Sequence, residues 1–173
     1  MSRESDEDFV SFVRARSAAL VRSATLLVGD AHEAEDLVQA ALEKACRRWE
    51  SIRRSASPEA YVRRIVVNLA NDRWSRIKRR PEVTIGHSDA PVEPYTQVDL
   101  RDLLIRGLFR LPIGMRSVLV LRYFDGVDDD EIGTMLGINA ASVRSQAARG
   151  LAKLRSDLGG DGNVIHAQFG GAA

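Results

Sequence analysis

Residues 81–98, PEVTIGHSDAPVEPYTQV, divide the chain into two stretches that both follow a helical pattern. This segment contains three prolines, one glycine, three acidic residues and no lysine or arginine. Proline fixes φ and removes a backbone donor, so a segment with three prolines does not continue a helix. We therefore predict a linker at residues 81–98, with one helical unit before it and a second unit after it.

Three amphipathic helices are predicted before this linker. Residues 6–28 carry apolar side chains at helical spacing, and the pattern stops at Gly29-Asp30. Residues 31–50 repeat the pattern and add a second face that is polar and partly acidic. The third helix includes residues 61–80 and follows Ser57-Pro58, which is typical of an N-cap with proline at the first helical position.

Four shorter helices are predicted after the linker. The first is broken at Pro112, and the second ends at Asp125-Gly126. The segment DDDEIGTMLG and a segment from Ala140 to about Leu158 form the last two. Residues 159–173 are rich in glycine and alanine, and we expect them to be disordered. No strand pattern competes anywhere, so the sequence predicts an all-α protein.

Positive charge is concentrated in one part of the chain. Residues 44–80 contain 12 Lys and Arg but only three acidic residues. The remaining chain contains 13 Lys and Arg and 21 acidic residues. The formal net charge of +1 therefore combines a strongly basic segment with an acidic remainder. Such segregation indicates a localised surface for a polyanion.

The helix predicted at residues 61–80 combines an apolar stripe with a polar ridge. The ridge recurs every three or four residues, at Arg64, Asn68, Asp72, Arg76 and Arg79. Clustered cations displace counterions from phosphates, so nucleic acid best explains the basic stretch. An anionic membrane surface and a simply solvated helix are the alternatives, and the membrane would need an apolar face that the preceding helices can cover.

The two tryptophans invite a related question, because aromatic side chains among basic ones can stack on bases. Trp49 falls on the apolar stripe of its own helix, so we expect it in the core. Trp74 fits either a core position or a stacking position.

The last two predicted helices have the spacing of a helix-turn-helix. Gly133 lets two helices cross closely, Gly137 can take the left-handed conformation at the turn, and Asn139 is placed to cap the second helix. The second helix leaves outside a set of side chains that can contact base edges or phosphates, namely Ser142, Arg144, Ser145, Gln146 and Arg149. The alternative is an ordinary helical hairpin with a solvated polar surface.

The sequence offers no catalytic residue set and no site for a metal or a cofactor. Cys46 is a lone cysteine, and the three histidines are scattered. The acids at Asp128-Asp129-Asp130-Glu131 fit the first turn of a helix, where the dipole favours negative charge. No apolar run approaches the roughly 20 residues that span a bilayer, so we expect a cytoplasmic protein with no membrane partner.

Several segments resemble, in order and spacing, the bacterial extracytoplasmic-function (ECF) sigma factors, especially an arginine-rich, SigE-like actinobacterial subfamily. These segments are HEAEDLVQAALEKACRRW, PEAYVRRIVVNLANDRW, LPIGMRSVLVLRYFDG, EIGTMLGI and SVRSQAARGLAKLR. The resemblance covers most of the chain. It implies sigma region 2 at residues 1–80, the linker at 81–98, region 4 at 99–158 and the tail at 159–173.

The resemblance also implies a function: an alternative sigma factor that binds core RNA polymerase and directs transcription initiation by recognising the −35 and −10 promoter elements. Implied partners are the β′ clamp helices and β flap of core polymerase, promoter DNA and an anti-sigma factor. The residues that match the polymerase-binding segment are Glu35, Asp36, Leu37, Gln39 and Glu43. Those that match the −10 region are Arg53, Arg54, Arg64, Asn68, Asp72, Arg73 and Arg76. Those that match the −35 region are Ser142, Arg144, Ser145, Gln146, Ala148 and Arg149.

In the family, the loop that corresponds to residues 52–57 helps to capture a base flipped out of the non-template strand, and Asn68 matches a position that lines its pocket. The sequence departs from the family pattern at Asp128-Asp129-Asp130, where relatives often have a small or hydroxyl residue and an aromatic, and at two single residues. Gly133 replaces an alanine, which costs roughly 1 kcal/mol of helix propensity and indicates an unusually close crossing. Ala148 stands where relatives can carry a bulkier side chain, so −35 specificity does not transfer.

A second hypothesis is a stand-alone helix-turn-helix regulator that binds duplex DNA unaided. Its N-terminal half would then serve dimerisation or effector binding. This hypothesis predicts tight binding of the free protein to a palindromic operator, whereas a sigma factor would bind core polymerase tightly and duplex DNA weakly. The sequence shows neither a ligand pocket nor a long exposed apolar face, which favours the sigma factor.

Overall fold

The computed structural model describes residues 3–78 and 100–157, and every regular element within them is helical. The first unit contains α1 (Arg3–Val28), α2 (Ala31–Cys46), α3 (Trp49–Ile52) and α4 (Pro58–Lys78). The second contains α5 (Leu100–Phe109), α6 (Ile113–Leu119), a π-helical turn (Val120–Phe124), α7 (Asp129–Leu136) and α8 (Ala140–Asp157). The all-α prediction is confirmed. The predicted linker and tail, residues 81–98 and 159–173, lie outside the described residues.

Caps fix the helix boundaries of the first unit. Gly29 ends α1 in the left-handed region, with φ of 85°. The Asp30 carboxylate caps α2 by accepting from the N–H of Glu33 at 2.9 Å. The Ser57 hydroxyl accepts from the N–H of Ala60 at 3.1 Å, so the N-cap predicted before Pro58 is confirmed.

The single helix predicted at residues 31–50 is wrong, because α2 ends at Cys46 and the four-residue α3 follows. Arg48 leaves the helical region between them, with φ of −122° and ψ of 13°. Trp49 follows this turn, is 2% exposed and packs against the rings of Phe9 and Phe12. Its indole N–H donates to Asp8 at 3.2 Å, so the predicted core position of Trp49 is confirmed with a satisfied donor.

The second unit is built around the helix formed by α6 and the π-helical turn, which contacts α1, α7 and α8. Leu119, Val120 and Leu121 are consecutive and all fully buried. An amphipathic surface helix buries only one stripe, so three buried neighbours mark a helix covered on more than one side. The first unit covers one of those sides, because α1 and α4 both contact α6.

The helix-turn-helix prediction agrees with the structure of α7 and α8. Asp128 and Asn139 cap these helices by accepting from the N–H groups of Glu131 and Ser142, at 2.8 and 2.7 Å. Gly137 adopts the left-handed conformation at the turn, with φ of 69°.

Candidate functional site

The polar face of α2 is open to solvent. Glu35, Asp36, Gln39 and Glu43 are all exposed. Gln39 donates to the Glu43 carboxylate at 3.4 Å, which keeps these two side chains together. Leu37 was predicted on this face, but it is 7% exposed and lies in the core. The reason is its spacing of four residues from the fully buried Ala41, which puts both on the core stripe.

An apolar groove runs beside this acidic face, between α1 and α2, with a volume of about 440 Å³. Its apolar lining includes Phe9, Val13, Val21, Val38 and Leu42. Glu35, Gln39 and Glu43 border the same groove. An apolar floor with a polar rim is the usual anatomy of a protein-binding surface.

The polar ridge of α4 is exposed and its apolar stripe is buried, as predicted. Exposed side chains are Arg64, Asn68, Asp72, Arg73 and Arg76. Buried side chains are Val62, Val66, Val67 and Ala70. Arg79 lies outside the described residues. The described part of the ridge is therefore available to a ligand while the helix stays anchored.

The cations of this ridge differ in their partners. Arg73 forms an ion pair with Glu33 of α2. Arg64 and Arg76 have no ion-pair partner among the described residues. Arg76 and Arg73 also border a groove of about 390 Å³ between α2 and α4, which Asp36 shares. The ridge of α4 and the acidic face of α2 thus meet at one groove.

Arg53 and Arg54 precede α4, and both are paired with Glu50. Arg53 lies 3.3 Å from the Glu50 carboxylate and 3.8 Å from that of Glu4. Arg54 forms its own ion pair with Glu50. The pKa of the Glu50 carboxyl is lowered, chiefly by Ser5 and then by these two arginines, although burial acts in the opposite direction. Glu50 therefore stays ionised and competes with any phosphate for both cations.

The outer face of α8 carries most of the residues predicted to read duplex DNA. Arg144, Ser145, Ala148 and Arg149 are exposed, whereas Ser142 and Gln146 are half-buried. The Arg144 guanidinium lies 3.8 Å from the carboxylate of Asp129, the first residue of α7. At that distance, and with Arg144 60% exposed, the pair is weak enough to open.

Gly133 is required by the way α7 meets the start of α8. A Cβ added at this position would lie 2.6 Å from the carbonyl oxygen of Ile138, far inside van der Waals contact. The Ile138 N–H also donates to the Gly133 carbonyl at 2.9 Å. The close crossing predicted from the sequence is therefore confirmed, and it is a backbone contact.

The sequence did not identify Arg116 as a functional residue, although it is the most buried charge described, at 1% exposed. Its guanidinium donates to four carbonyl oxygens. Three belong to its own unit, namely Leu108 at 2.9 Å, Phe109 at 3.1 Å and Leu111 at 3.3 Å. The fourth is Leu27 of α1, at 2.7 Å.

Arg116 also contacts two neighbouring aromatic rings, because its guanidinium carbon lies 4.0 Å from the centre of Phe109 and 4.6 Å from that of Trp74. Burial lowers the pKa of Arg116 to about 10, so the group is still charged at neutral pH. Trp74 therefore lies neither in the core of its own unit nor on a free face, but at the contact between the units.

Asp125 is the second residue at this contact that the sequence did not identify. The hydroxyl of Ser23, on α1, donates to its carboxylate, and Arg63 of α4 lies 3.4 Å from it. Burial raises the pKa of Asp125, while Ser23 and Arg63 lower it and the nearby Glu59 raises it.

The sequence did contain one signal for Arg116. It lies three and four residues before the apolar Leu119 and Val120, on a stripe where a charge is unexpected.

Two kinds of site are not found in the part of the chain that the structure describes. It contains no cluster of His, Cys, Asp or Glu arranged to hold a metal ion. None of its helices combines the length and the apolar character needed to cross a bilayer.

Both units match known protein families. Residues 12–80 match the family model of sigma-70 region 2, and residues 101–154 match that of sigma-70 region 4. The chain is 36% identical over 152 residues to the RNA polymerase sigma-E factor of Streptomyces coelicolor, a match that covers 87% of this chain and 86% of the relative. It is 30% identical over 151 residues to the ECF RNA polymerase sigma factor SigM of Mycobacterium tuberculosis, covering 87% of this chain and 77% of that one.

Two solved structures share the fold. The sigma factor RpoE from Bartonella quintana, crystallised with the anti-sigma factor NepR, superposes with a TM-score of 0.72 at 23% identity, over 90% of this chain and 99% of that chain. CnrH, in complex with the cytosolic domain of CnrY, superposes with a TM-score of 0.64 at 21% identity, over 90% of each chain. With both regions matched in order and the relatives aligned over most of their length, the chain belongs to the ECF sigma factors, which direct RNA polymerase to promoters.

Proposed function

We propose that three exposed faces divide the work of this sigma factor. The acidic face of α2 binds core RNA polymerase at the β′ clamp helices, the ridge of α4 binds the opened −10 element, and the outer face of α8 reads the −35 element. The observation that carries this proposal is the exposure of all three faces on helices whose opposite sides are buried. The protein acts by binding, without catalysis of its own, in the cytoplasm where the polymerase works.

Residue types and surroundings support the polymerase-binding role of α2. The exposed side chains of Glu35, Asp36, Gln39 and Glu43 are acidic or neutral, so they would repel DNA. The adjoining apolar groove offers surface that a protein partner can bury. The acidic rim would orient that partner and raise its rate of association by electrostatic attraction. Leu37, being buried, would support this face from beneath and would not contact the polymerase directly.

The ridge of α4 suits a melted strand because it combines cations with an exposed amide. Arg64 and Arg76 lack ion-pair partners in the described part of the chain and can neutralise phosphates. Asn68 lies between them on the ridge, where its amide can hydrogen-bond an extruded base. Arg53 and Arg54 would bind phosphates once their ion pairs with Glu50 open, and Arg73 once its ion pair with Glu33 opens.

The outer face of α8 suits duplex DNA. Its helix is capped at Asn139 and follows a tight turn, which gives the geometry of a recognition helix that enters the major groove. Arg144 and Arg149 can reach phosphates or guanine edges, Ser145 can contact either, and Ala148 leaves room for a thymine methyl group. The half-buried Gln146 and Ser142 lie at the edge of this face.

Residues 1–80 and 99–158 would thus act as regions 2 and 4, joined by residues 81–98. The family matches over 12–80 and 101–154 support these boundaries. An anti-sigma factor is a further proposed partner, because the sigma factor RpoE, which has the same fold, was crystallised with the anti-sigma factor NepR. A stand-alone regulator is not favoured, since the relatives over most of this chain are sigma factors.

The decisive experiment is competition with a labelled primary sigma factor for core RNA polymerase at physiological salt. The wild-type protein is expected to displace the label at nanomolar concentration. Asp36→Arg should weaken displacement at least tenfold, because it reverses a charge on the proposed interface. Asp6→Arg, at an exposed acid of α1, is the matched control and should compete like the wild type.

Two results would contradict the proposal. Failure of the wild type to displace the label, together with tight binding of the free protein to duplex DNA, would favour the regulator. An equal loss in Asp36→Arg and Asp6→Arg would mean that general negative charge, and not the α2 face, attracts the polymerase.

A further inference from the structure

Three elements of the second unit meet at the carboxylate of Asp129. This residue begins α7, and its two oxygens lie near two different cations. Oδ1 is 3.3 Å from Nη1 of Arg122, which belongs to the π-helical turn. Oδ2 is 3.8 Å from Nη1 of Arg144, on the outer face of α8. One carboxylate thus connects the turn and α7 with the face proposed to read the −35 element.

Asp129 is held in place from two sides. Its side chain is only 19% exposed, and the helix that it begins is capped by Asp128. On the other side lies Arg122, whose guanidinium carbon is also 5.6 Å from the centre of the Tyr123 ring. The carboxylate therefore occupies a fixed position beside α8.

Arg144 is the exposed member of this group, with 60% of its side chain open to solvent. Within residues 3–78 and 100–157, Asp129 is its one ion-pair partner, and the pair involves Nη1 alone. A guanidinium presents five donors in a planar fork, so Nε and Nη2 are left for another acceptor. Asp129 thus restrains one corner of the group and leaves the opposite edge to a ligand.

Arg149, the other arginine on the outer face of α8, has different surroundings. Its Nε donates to the carbonyl oxygen of Ser145, one turn earlier on the same helix, at 3.3 Å. In the described part of the chain it forms no ion pair. One arginine of this face therefore lies beside a carboxylate, whereas the other lies beside a neutral acceptor.

The carboxylate affects which acceptor Arg144 can bind on duplex DNA. A phosphate at the open edge of the guanidinium would lie close to the charge of Asp129, and like charges repel. The N7 and O6 acceptors of guanine are neutral, so they can share the guanidinium with a carboxylate. The pair also strengthens when α8 enters a groove, because water is then excluded from it. Asp129 thus penalises a phosphate contact more than a base contact.

We propose that Asp129 is a positioning residue that determines specificity, because it keeps Arg144 from phosphates and directs its guanidinium to a guanine edge of the −35 element. Arg122 supports this role by fixing the carboxylate. The protein thereby loses affinity for DNA in general and gains discrimination between sequences. This role rests on the function proposed for the outer face of α8.

The test compares holoenzymes reconstituted from core RNA polymerase and sigma variants. The probe is a pool of duplex fragments randomised over both promoter elements, and sequencing of the bound fraction gives the base preference at each position. Titrations with a fragment of the preferred sequence and with an unrelated duplex, at several salt concentrations, give the affinities.

Asp129→Asn removes the charge and keeps the size of the side chain. We expect it to reduce the preference for guanine at one −35 position by about fivefold, at the same position where Arg144→Ala abolishes that preference. Binding to the unrelated duplex should tighten. There the dependence of log K on log salt should steepen by about 0.7–0.9, because Arg144 gains a phosphate.

Asp130→Asn is the matched control, because Asp130 is the next residue of α7, is exposed and forms no ion pair within the described ranges. It changes the net charge and the acidity of the first turn equally, and it should keep the base preferences of the wild type. Asp129→Glu keeps the carboxylate and should restore most of the lost preference. In an Arg144→Ala background, Asp129→Asn should have no further effect on base preference.

Three results would overturn the positioning role. If Arg144→Ala loses the guanine preference but Asp129→Asn behaves like Asp130→Asn, the role is refuted and the function proposed for α8 stands. If Asp129→Asn lowers the preference further in the Arg144→Ala background, the carboxylate acts on the DNA directly and not through Arg144. If Arg144→Ala leaves every −35 preference unchanged, the reading of that element by Arg144 is refuted, and the role of Asp129 with it.

Discussion

The guanidinium of Arg116 lies 4.6 Å from the centre of the Trp74 ring, so a charge of the second unit rests on an aromatic face of the first. Among the described residues no carboxylate neutralises this charge; carbonyl dipoles and two ring faces stabilise it instead. Such an arrangement works only while all partners are present, because a buried cation that loses them has no water to replace them.

We expect Arg116→Met to lower the free energy of unfolding by about 2–4 kcal/mol, because it leaves several carbonyl oxygens of the buried contact without a donor. Arg116→Lys should be intermediate, since it keeps the charge but not the planar fork. Urea unfolding followed by circular dichroism measures both. Arg110→Met, at an exposed arginine of the same unit, is the control, and an equal effect there would refute a special role for position 116.

Asp125 predicts a pH dependence, because burial raises the pKa of its carboxyl, with Glu59 adding to that effect while Ser23 and Arg63 oppose it. The folded protein then binds this proton more tightly than the unfolded chain does. The stability that the group contributes is therefore fully present below its ordinary pKa and is lost as pH rises through the raised value.

Asp125→Asn should remove this pH-dependent component. Relative to the variant, the wild type should lose free energy of unfolding as pH rises from about 4 to 7. At pH 7 the variant should be at least as stable as the wild type. Denaturant unfolding at several pH values measures the difference, and Asp157→Asn, at the exposed end of α8, serves as the reference. A deficit of the variant that grows as pH rises would mean that the Arg63 ion pair outweighs the cost of burial.

The Glu50 carboxylate should weaken promoter binding by holding Arg53 and Arg54. Glu50→Gln is therefore expected to tighten binding of the reconstituted holoenzyme to its promoter by about two- to fivefold at low salt, and less at high salt. Arg64→Ala should act oppositely and reduce the dependence of log K on log salt by about 0.7–0.9.

Filter-binding or fluorescence titrations over a range of salt concentrations measure both effects. Glu7→Gln changes net charge equally, at an exposed position on α1, and should leave promoter affinity nearly unchanged. If Glu7→Gln tightens binding as much as Glu50→Gln does, the effect is one of total charge and not of released arginines.

Replacing each of two helical glycines by alanine should change the stability of the protein in opposite directions. Gly133→Ala should destabilise the second unit by at least about 1 kcal/mol, since its methyl group meets the Ile138 carbonyl at 2.6 Å and outweighs the gain in helix propensity. Gly114→Ala meets only the movable end of Gln146, at 3.1 Å, and should be neutral or stabilising. Thermal unfolding of the two variants distinguishes them; a stabilised Gly133→Ala would disprove the close crossing.

Periodicity and turn chemistry were sufficient to predict most of the helices. Gly29, Ser57 and Asn139 each act through their nearest neighbours in sequence, so their roles follow from residue type and spacing. The turn before Trp49 was missed because it arises from packing of that indole on α1, a contact between residues about forty positions apart. Tertiary contacts of this kind override helix propensity without changing the local pattern.

The exposed faces were predicted more completely than the contact between the units. Arg64, Asn68 and Arg76 belong to a ridge whose spacing places them on one side of a helix, and the structure has them exposed. Leu37 was misplaced because a motif match was extended to a residue whose spacing assigns it to the core. Arg116 and Asp125 take their importance from partners in the other unit, and no pattern in one sequence specifies how two units meet.

The contact between the units is unusual in what it would expose on parting. Much of it consists of a backbone carbonyl, two hydroxyls, an amide and three charged groups, which would exchange their protein partners for water. Phe109 and Trp74 would present new apolar surface, as would the side of α6 and of the π-helical turn that the first unit covers. Parting the units would thus expose polar and apolar groups together, so each unit shields part of the other's apolar surface from water.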